Sequence, residues 1–473
     1  MKCLLPTLAL AFATGASATT FIVDTTSDLV TDDCTGGACS LRGALTAANL
    51  TPTEDQIEFD IADTDPGFQA ATQHWLIRVG ANALPTIEAP VVIDGYTQTG
   101  AVANSNAPDD GGLNGILKIE IRPLATFDNQ QNGLTVVGNN FAQPASTIRG
   151  LAISRFRSQI QLGGSSAHRV EGCYLGTDST GSAASLVGNN GLGNGVRVQG
   201  PGPYKIGGLL PAERNLMSGM FNAIVFQSGS DGIRIEGNLV GTNASGIAAV
   251  ANTQEAISSA APIRNARIGG ASTDARNIFA ASHFSALRLF SESVTAFNGT
   301  LIEGNYFGTD VSGRRALGNG LNPSSPSQPQ PTIQIGGLNC ALSIGGTAPG
   351  QSNLIAYSGG AGILNDQCPS ISSPLNRFYG NRGIPFDNVF GGGAVGATPN
   401  DADDADNVGG NRLQNFPEIT LPEGFLPSGD SSVALQLRVD TAVTNASYPI
   451  TVNFYRGSCG GGSESLQIGR AHV

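Results

Sequence analysis

One phrase recurs along this chain at a nearly fixed interval, and an interval of this size marks a stacked, repetitive fold. Its first copy is Val170-Glu171-Gly172-Cys173-Tyr174-Leu175-Gly176-Thr177-Asp178. The second runs I-E-G-N-L-V-G-T-N from Ile235 to Asn243, and the third I-E-G-N-Y-F-G-T-D from Ile302 to Asp310. Gly172, Gly237 and Gly304 are therefore 65 and 67 residues apart. Alternating with the copies are I-G-G triplets at Ile206, Ile268 and Ile344, which lead into Arg214-Asn215-Leu216, Arg276-Asn277-Ile278 and Ser352-Asn353-Leu354.

Between these landmarks lie short apolar runs such as Trp75-Leu76-Ile77, Val91-Val92-Ile93, Leu117 to Ile121, Gly195 to Val198 and Gly232 to Ile235. The last three alternate apolar with polar residues, which places successive side chains on opposite faces of a strand. Gly, Asn and Asp punctuate the runs at roughly 20 to 25 residues, too short for strand–helix–strand crossovers. The expected fold is all-β: a parallel β-helix from 57 to 420, with about three coils in each phrase. Ile and Leu would fill the interior, Gly would take positive-φ corners, and Asn238 and Asn305 would join inward polar ladders.

The ends differ in character. Met1 to Ala18 has Lys2, an apolar run from Leu4 to Ala13 and Ala16-Ser17-Ala18, the pattern of a cleaved export signal. No later stretch offers 18 continuous apolar residues, so no transmembrane helix is expected. Residues 19–56 form an N-terminal cap, in which Ser40 is a helix N-cap with Leu41, Ala44, Leu45 and Ala48 on one face. In 421–466, Val433 to Val439 and Ile450 to Tyr455 alternate like antiparallel strands of a cut-short sandwich. Gln467 to Val473 matches the translation of a sequencing-library adaptor, so 467–473 is expected to be foreign.

Composition excludes some functions. With 13% charged and 40% hydrophobic residues the chain is expected to fold, and its 64 glycines demand many turns. A net charge of −12 argues against nucleic acid or an anionic membrane surface as partner. An exported chain keeps six cysteines in an oxidising compartment. Cys34 with Cys39 and Cys340 with Cys368 are the plausible disulfides, and Cys173 reads as a lone buried thiol.

Chemistry is hard to find. Asp178 and Asp310 occupy equivalent corners, roughly 29 Å apart on a three-coil phrase, too far to act as a glycosidase pair. Arg197, Arg234 and Arg267 read as ordinary solvated face, the alternative being that they line one groove, with no convergent acidic set beside them, and His74, His168 and His283 are dispersed. Asp401, Asp403, Asp404 and Asp406 are the densest constellation, either a calcium site or a solvated, Asx-rich turn. A Pro/Ser-rich stretch, 320–332, is expected to leave a corner as a loop, where binding surfaces are often built.

At Cys39-Ser40-Leu41-Arg42-Gly43-Ala44-Leu45, in the I-E-G-N-x-x-G-T-D phrases and in Asn400-Asp401 to Phe416-Pro417, the chain resembles the CSLREA-domain family of secreted bacterial proteins. The resemblance implies a right-handed parallel β-helix, similar to pectin lyases in fold, followed by sandwich-like modules on the bacterial exterior. It implies no established reaction. Gly43 stands where the family has Glu, which removes a capping box and about 0.5–1 kcal/mol from the cap helix. The expected function is non-catalytic binding or adhesion at the cell exterior, to an extracellular polysaccharide or a host surface. A polysaccharide lyase or glycoside hydrolase, and a structural spacer for a further C-terminal domain, are the alternatives.

Overall fold

The computed structural model describes residues 17–28, 34, 36–138, 145–185, 193–293, 295–391, 396–406, 408–420, 436–445, 451–456 and 466–472. Most of the expected export signal, Asn407 and Cys459 lie outside them. The chain is mostly β, with one α-helix, Leu41–Ala48, among the described residues. Among the described residues three long sheets hold eleven, eleven and nine strands, parallel except for Phe68–Gln69 against His74–Val79 at one edge. The chain visits them in turn: Thr147–Arg149 belongs to the first sheet, Leu151–Ile153 to the second, Phe156–Gly164 to the third, and Arg169–Glu171 to the first again. Each strand pairs with its counterpart one circuit earlier, so Val170 faces Ile148 and Ile206.

Two circuits, not three, make up one repeated phrase. Arg169–Glu171 is followed in the first sheet by Lys205–Gly207 and only then by Arg234–Glu236, the start of the next copy. The extra length is spent on an excursion after the second-sheet strand, where Thr177 bridges Ala184, Thr242 bridges Ala249 and Thr309 bridges Ala316. These small hairpins add residues without adding rise. Asp178 and Asp310 are consequently four circuits apart, about 19 Å rather than 29 Å.

Inward residues from all three sheets form one core, including Val170, Ile206, Ile235 and Ile302 from the first sheet and Leu175, Val240 and Phe307 from the second. The helix closes the N-terminal end of this core. Leu41, Ala44, Leu45 and Ala48 are buried in it, and Ser40 Oγ accepts from Gly43 N at 3.1 Å. Arg42 holds the cap to the first circuits through two bonds to Asp28, 2.7 and 2.9 Å, and others to the carbonyls of Asn82 and Ala83.

A second line of order runs through the corners between the first and second sheets. Asn215, Asn238, Asn277, Asn305, Asn353 and Asn376 form a ladder, each Nδ2 donating to the next Oδ1 at 2.9–3.1 Å. All six are buried. The corners alternate between a tight Glu-Gly-Asn type and a wider type that begins with the I-G-G glycines. Gly207 and Gly269 lie at φ +80° against the next rung, where a Cβ would come within 2.4 Å of Asn238 Oδ1 or Asn305 Oδ1. The triplet therefore needs glycine for space as well as for backbone angle.

The second sheet is buried on both faces. Its outward residues Tyr174, Leu216, Leu239 and Ile278 join Leu113, Leu117 and Val311 in a separate apolar cluster. An excursion through 98–117 supplies the cover, with Leu113 N donating to Ala244 O and Arg276 Nη1 to Asp109 Oδ1. Buried Arg214 donates to Asn106 O at 2.9 Å, so the Arg of the R-N-L motif anchors this cover.

Both cysteine pairs stand at disulfide distance, with Cα–Cα of 4.6 Å for Cys34–Cys39 and 5.4 Å for Cys340–Cys368, and Cys173 is a buried free thiol. Beyond the three long sheets, Glu418–Thr420 pairs antiparallel with Gln436–Arg438, and Thr451–Arg456 with Leu466–His472. No helix among the described residues is long and apolar enough to cross a membrane.

Candidate functional site

With the second sheet covered, the outer face of the first sheet offers the most regular display of charge. Each short strand puts its central residue into the core, so the residues on either side point outward. On one side Arg169, Lys205, Arg234 and Arg267 stand in register on four successive circuits. On the other side Glu171, Glu236 and Glu303 alternate with Gly207 and Gly269. Asp94 and Arg149 continue this second row toward the N-terminus and are bonded at 2.5 Å.

The acids lie deep and the bases at the surface. Glu171, Glu236 and Glu303 are all below a tenth exposed, whereas the side chains of Arg169 and Arg267 are 50% and 40% exposed. Lys205 Nζ joins two carboxylates, 3.0 Å from Glu213 Oε2 and 3.9 Å from Glu171 Oε1. Arg267 Nη1 is 3.9 Å from Glu303 Oε2, and Arg234 Nη1 donates to the carbonyls of Gly232, Ile233 and Asn265. Burial raises the Glu171 carboxyl above its usual range, with Glu213 adding to the effect and Lys205, Arg169 and Arg149 opposing it. Burial also raises Glu236, against the pull of Lys205, Arg234 and Arg267.

Two expectations are corrected here. Arg197 does not share a groove with Arg234 and Arg267; it lies on the third sheet, facing Gln161 and Val225 in register, with Nη2 3.2 Å from Gln227 Oε1. An acidic set does accompany Arg234 and Arg267, because the Glu of each I-E-G phrase points to the same face. The signal was present as Arg169-Val170-Glu171, Lys205-Ile206-Gly207, Arg234-Ile235-Glu236 and Arg267-Ile268-Gly269, one basic residue immediately before each core residue.

The phrase acids serve their own loops. Asp178 Oδ1 accepts from Thr180 N and Ser182 N, Asn243 Oδ1 from Ile247 N and Ala248 N, and Asp310 Oδ1 from Arg314 N and Arg315 N. An amide oxygen performs this task as well as a carboxylate, which is why Asn replaces Asp without consequence for the turn.

The acidic turn follows the last strands of the three long sheets and is tied to the segment around Thr441. Asp404, 2% exposed, accepts from Asn415 N at 2.8 Å, Thr441 Oγ1 at 3.2 Å and Gln414 Nε2. Asp401 Oδ2 accepts from Ala405 N, and the Asp403 carbonyl from Ala442 N. Asp406 is half-buried. No group of three or more His, Cys, Asp or Glu able to hold a metal occurs among the described residues, so Asp401, Asp403, Asp404 and Asp406 are not brought around one point.

His74 is less isolated than its sequence position suggests. Its Nε2 lies 2.8 Å from Glu120 Oε2 and its Nδ1 2.7 Å from Thr72 Oγ1, with Glu120 also paired to Arg122. The 320–332 stretch borders a cleft that also involves Arg382 and Asp387.

No family model, curated protein or solved structure matches this chain.

Proposed function

We propose that this protein is an exported, right-handed parallel β-helix of the CSLREA-domain kind that holds a linear, uncharged polysaccharide along the outer face of its first sheet. The observation that carries this reading is the row Arg169, Lys205, Arg234 and Arg267, one donor per circuit, with carboxylates beneath it. A polymer lying across the circuits would meet a donor about every 4.8 Å, one per circuit, and a strand carboxylate on every second circuit. Four cations face the four carboxylates Glu171, Glu213, Glu236 and Glu303, so the face has little net charge with which to steer a polyanion. The chain's own charge of −12 opposes a polyanion further. Two cysteine pairs at disulfide distance support an oxidising, extracellular setting.

The test is a panel of neutral polysaccharides and polyuronates, assayed for binding and product release at low and high ionic strength. We expect neutral-polymer binding that ionic strength leaves unchanged and that Arg169→Gln/Arg234→Gln/Arg267→Gln weakens at least tenfold. Polyuronate binding that collapses with salt would replace this reading by a charge-driven one. No binding by folded protein would leave the spacer reading.

A hydrolase is the second reading, favoured by Glu171 and Glu213 flanking Lys205, with Glu171 shifted toward the protonated form that a general acid requires. Product release lost in Glu171→Gln with binding retained would establish it.

A further inference from the structure

A cleft of about 320 Å³ lies where the Pro/Ser-rich loop meets the last circuits, walled by Pro329, Gly360, Ala361 and Ile384. It is large enough for a small molecule. Its described lining carries one base, Arg382, and one acid, Asp387, and no aromatic ring of the kind that stacks on a sugar. Arg382 is exposed and also lines the adjoining recess beside Pro323 and Pro326. Its backbone N donates to Ser358 O at 3.1 Å.

Asp387 is the unusual member. It lies on the strand Phe386–Val389, paired with Leu364 in an outward row, yet it is 1% exposed. Its Oδ2 accepts from Gly396 N at 2.9 Å, while Oδ1 is buried without a hydrogen-bond donor. A buried carboxylate oxygen with no partner is costly, and a proton or a ligand's cationic donor relieves that cost. Burial correspondingly raises the Asp387 carboxyl above its usual range. The same residue lines a second recess, shared with Phe386, Leu413 and Phe416.

We propose that this cleft is a binding site for a small zwitterion of the α-amino acid or dipeptide class, its ammonium on Asp387 and its carboxylate on Arg382. The pairing rests on charge: one buried acceptor wants a cation, and the one base at the mouth wants an anion. Glycine, alanine and proline walls admit a short aliphatic body without demanding a ring. The site is separate from the charged face of the first sheet, and its ligand is different in kind, so each proposal can fail alone.

Titration calorimetry of the whole protein with alanyl-alanine, ethylamine and propionate tests it. The dipeptide is expected to bind, and the amine or carboxylate alone to bind at least tenfold more weakly. Asp387→Asn keeps an acceptor for Gly396 N, so it should fold, with an unfolding midpoint equal to or above that of the parent, and lose at least tenfold in dipeptide affinity. Arg382→Gln, a change at an exposed side chain, should lose about fivefold or more. Absence of dipeptide binding by folded parent protein, equal affinity in Asp387→Asn, or equal binding of ethylamine alone would each overturn the assignment.

Discussion

Cys173 stands in the place of Asn238, one phrase earlier, and makes the same two contacts with sulfur in place of an amide. Its Sγ lies 3.7 Å from Ile148 O and 3.3 Å from Glu171 O, where Asn238 Nδ2 lies 2.9 Å from Ile206 O and 3.0 Å from Glu236 O. The asparagine ladder accordingly starts one rung late, at Asn215, whose Oδ1 receives only the Cys173 backbone N. Cys173→Asn would supply a second donor to that oxygen, and the backbone amides of Gly150 and Leu151 already face the position. We expect a gain of about 0.5–1.5 kcal/mol, read as a raised thermal midpoint. Burial pushes the parent thiol up to about 12, so it should resist alkylation until the chain unfolds.

His168 should set part of the acid sensitivity. Its Nε2 and Nδ1 face the backbone N–H groups of Gly138 and Ser146, at 3.2 and 3.0 Å; the neutral ring accepts from one of them, and a protonated ring accepts from neither. Burial pushes its pKa down to about 4. The unfolded chain therefore binds the proton first, and stability is lost as pH falls from about 6.5 toward 4, by at most about 1.4 kcal/mol per unit. Urea midpoints measured across that range should fall more steeply for the parent than for His168→Gln.

Arg42 is expected to be the most sensitive position of the N-terminal cap. Removing it leaves Asp28, 11% exposed, without its cation, with only Gly80 N still donating to it, and frees the carbonyls of Asn82 and Ala83. Arg42→Ala should cost about 3–5 kcal/mol in chemical denaturation, and Arg42→Lys should recover little of it, because one ammonium cannot form the two-pronged contact.

The acidic turn should behave as a knot of hydrogen bonds. Its thermal midpoint is expected to be the same in millimolar Ca²⁺ and in chelator, and a calcium-dependent rise would restore the metal reading. Asp404→Ala leaves Asn415 N, Gln414 Nε2 and Thr441 Oγ1 without their acceptor and should cost about 1–3 kcal/mol.

The stacked strands, the helix capped by Ser40 and both cysteine pairs were legible because each leaves a local signature: a recurring phrase, a cap residue, a spacing. The number of circuits was not. Counting apolar runs cannot distinguish a strand that adds rise from the Thr177–Ala184 hairpin that does not. The ladder was half legible for a related reason. Asn238 and Asn305 recur in one phrase, whereas Asn215, Asn277 and Asn353 belong to another, and only the circuit places them on one axis. The charged face was hidden by uneven spacing, since Arg169, Lys205, Arg234 and Arg267 share no fixed interval until register aligns them. Asp387 carried no sequence signal at all, because its isolation depends on the residues packed over it.

The alternation of tight and wide corners has a consequence for how such a chain can change length. A wide corner's glycine is shaped to the asparagine of the next tight corner, as Gly207 is to Asn238 and Gly269 to Asn305. Loss or duplication of a single circuit would set like against like and press a backbone against a side chain it was not shaped for. Whole phrases can be inserted or removed without that mismatch, so the molecule should lengthen or shorten in even numbers of circuits.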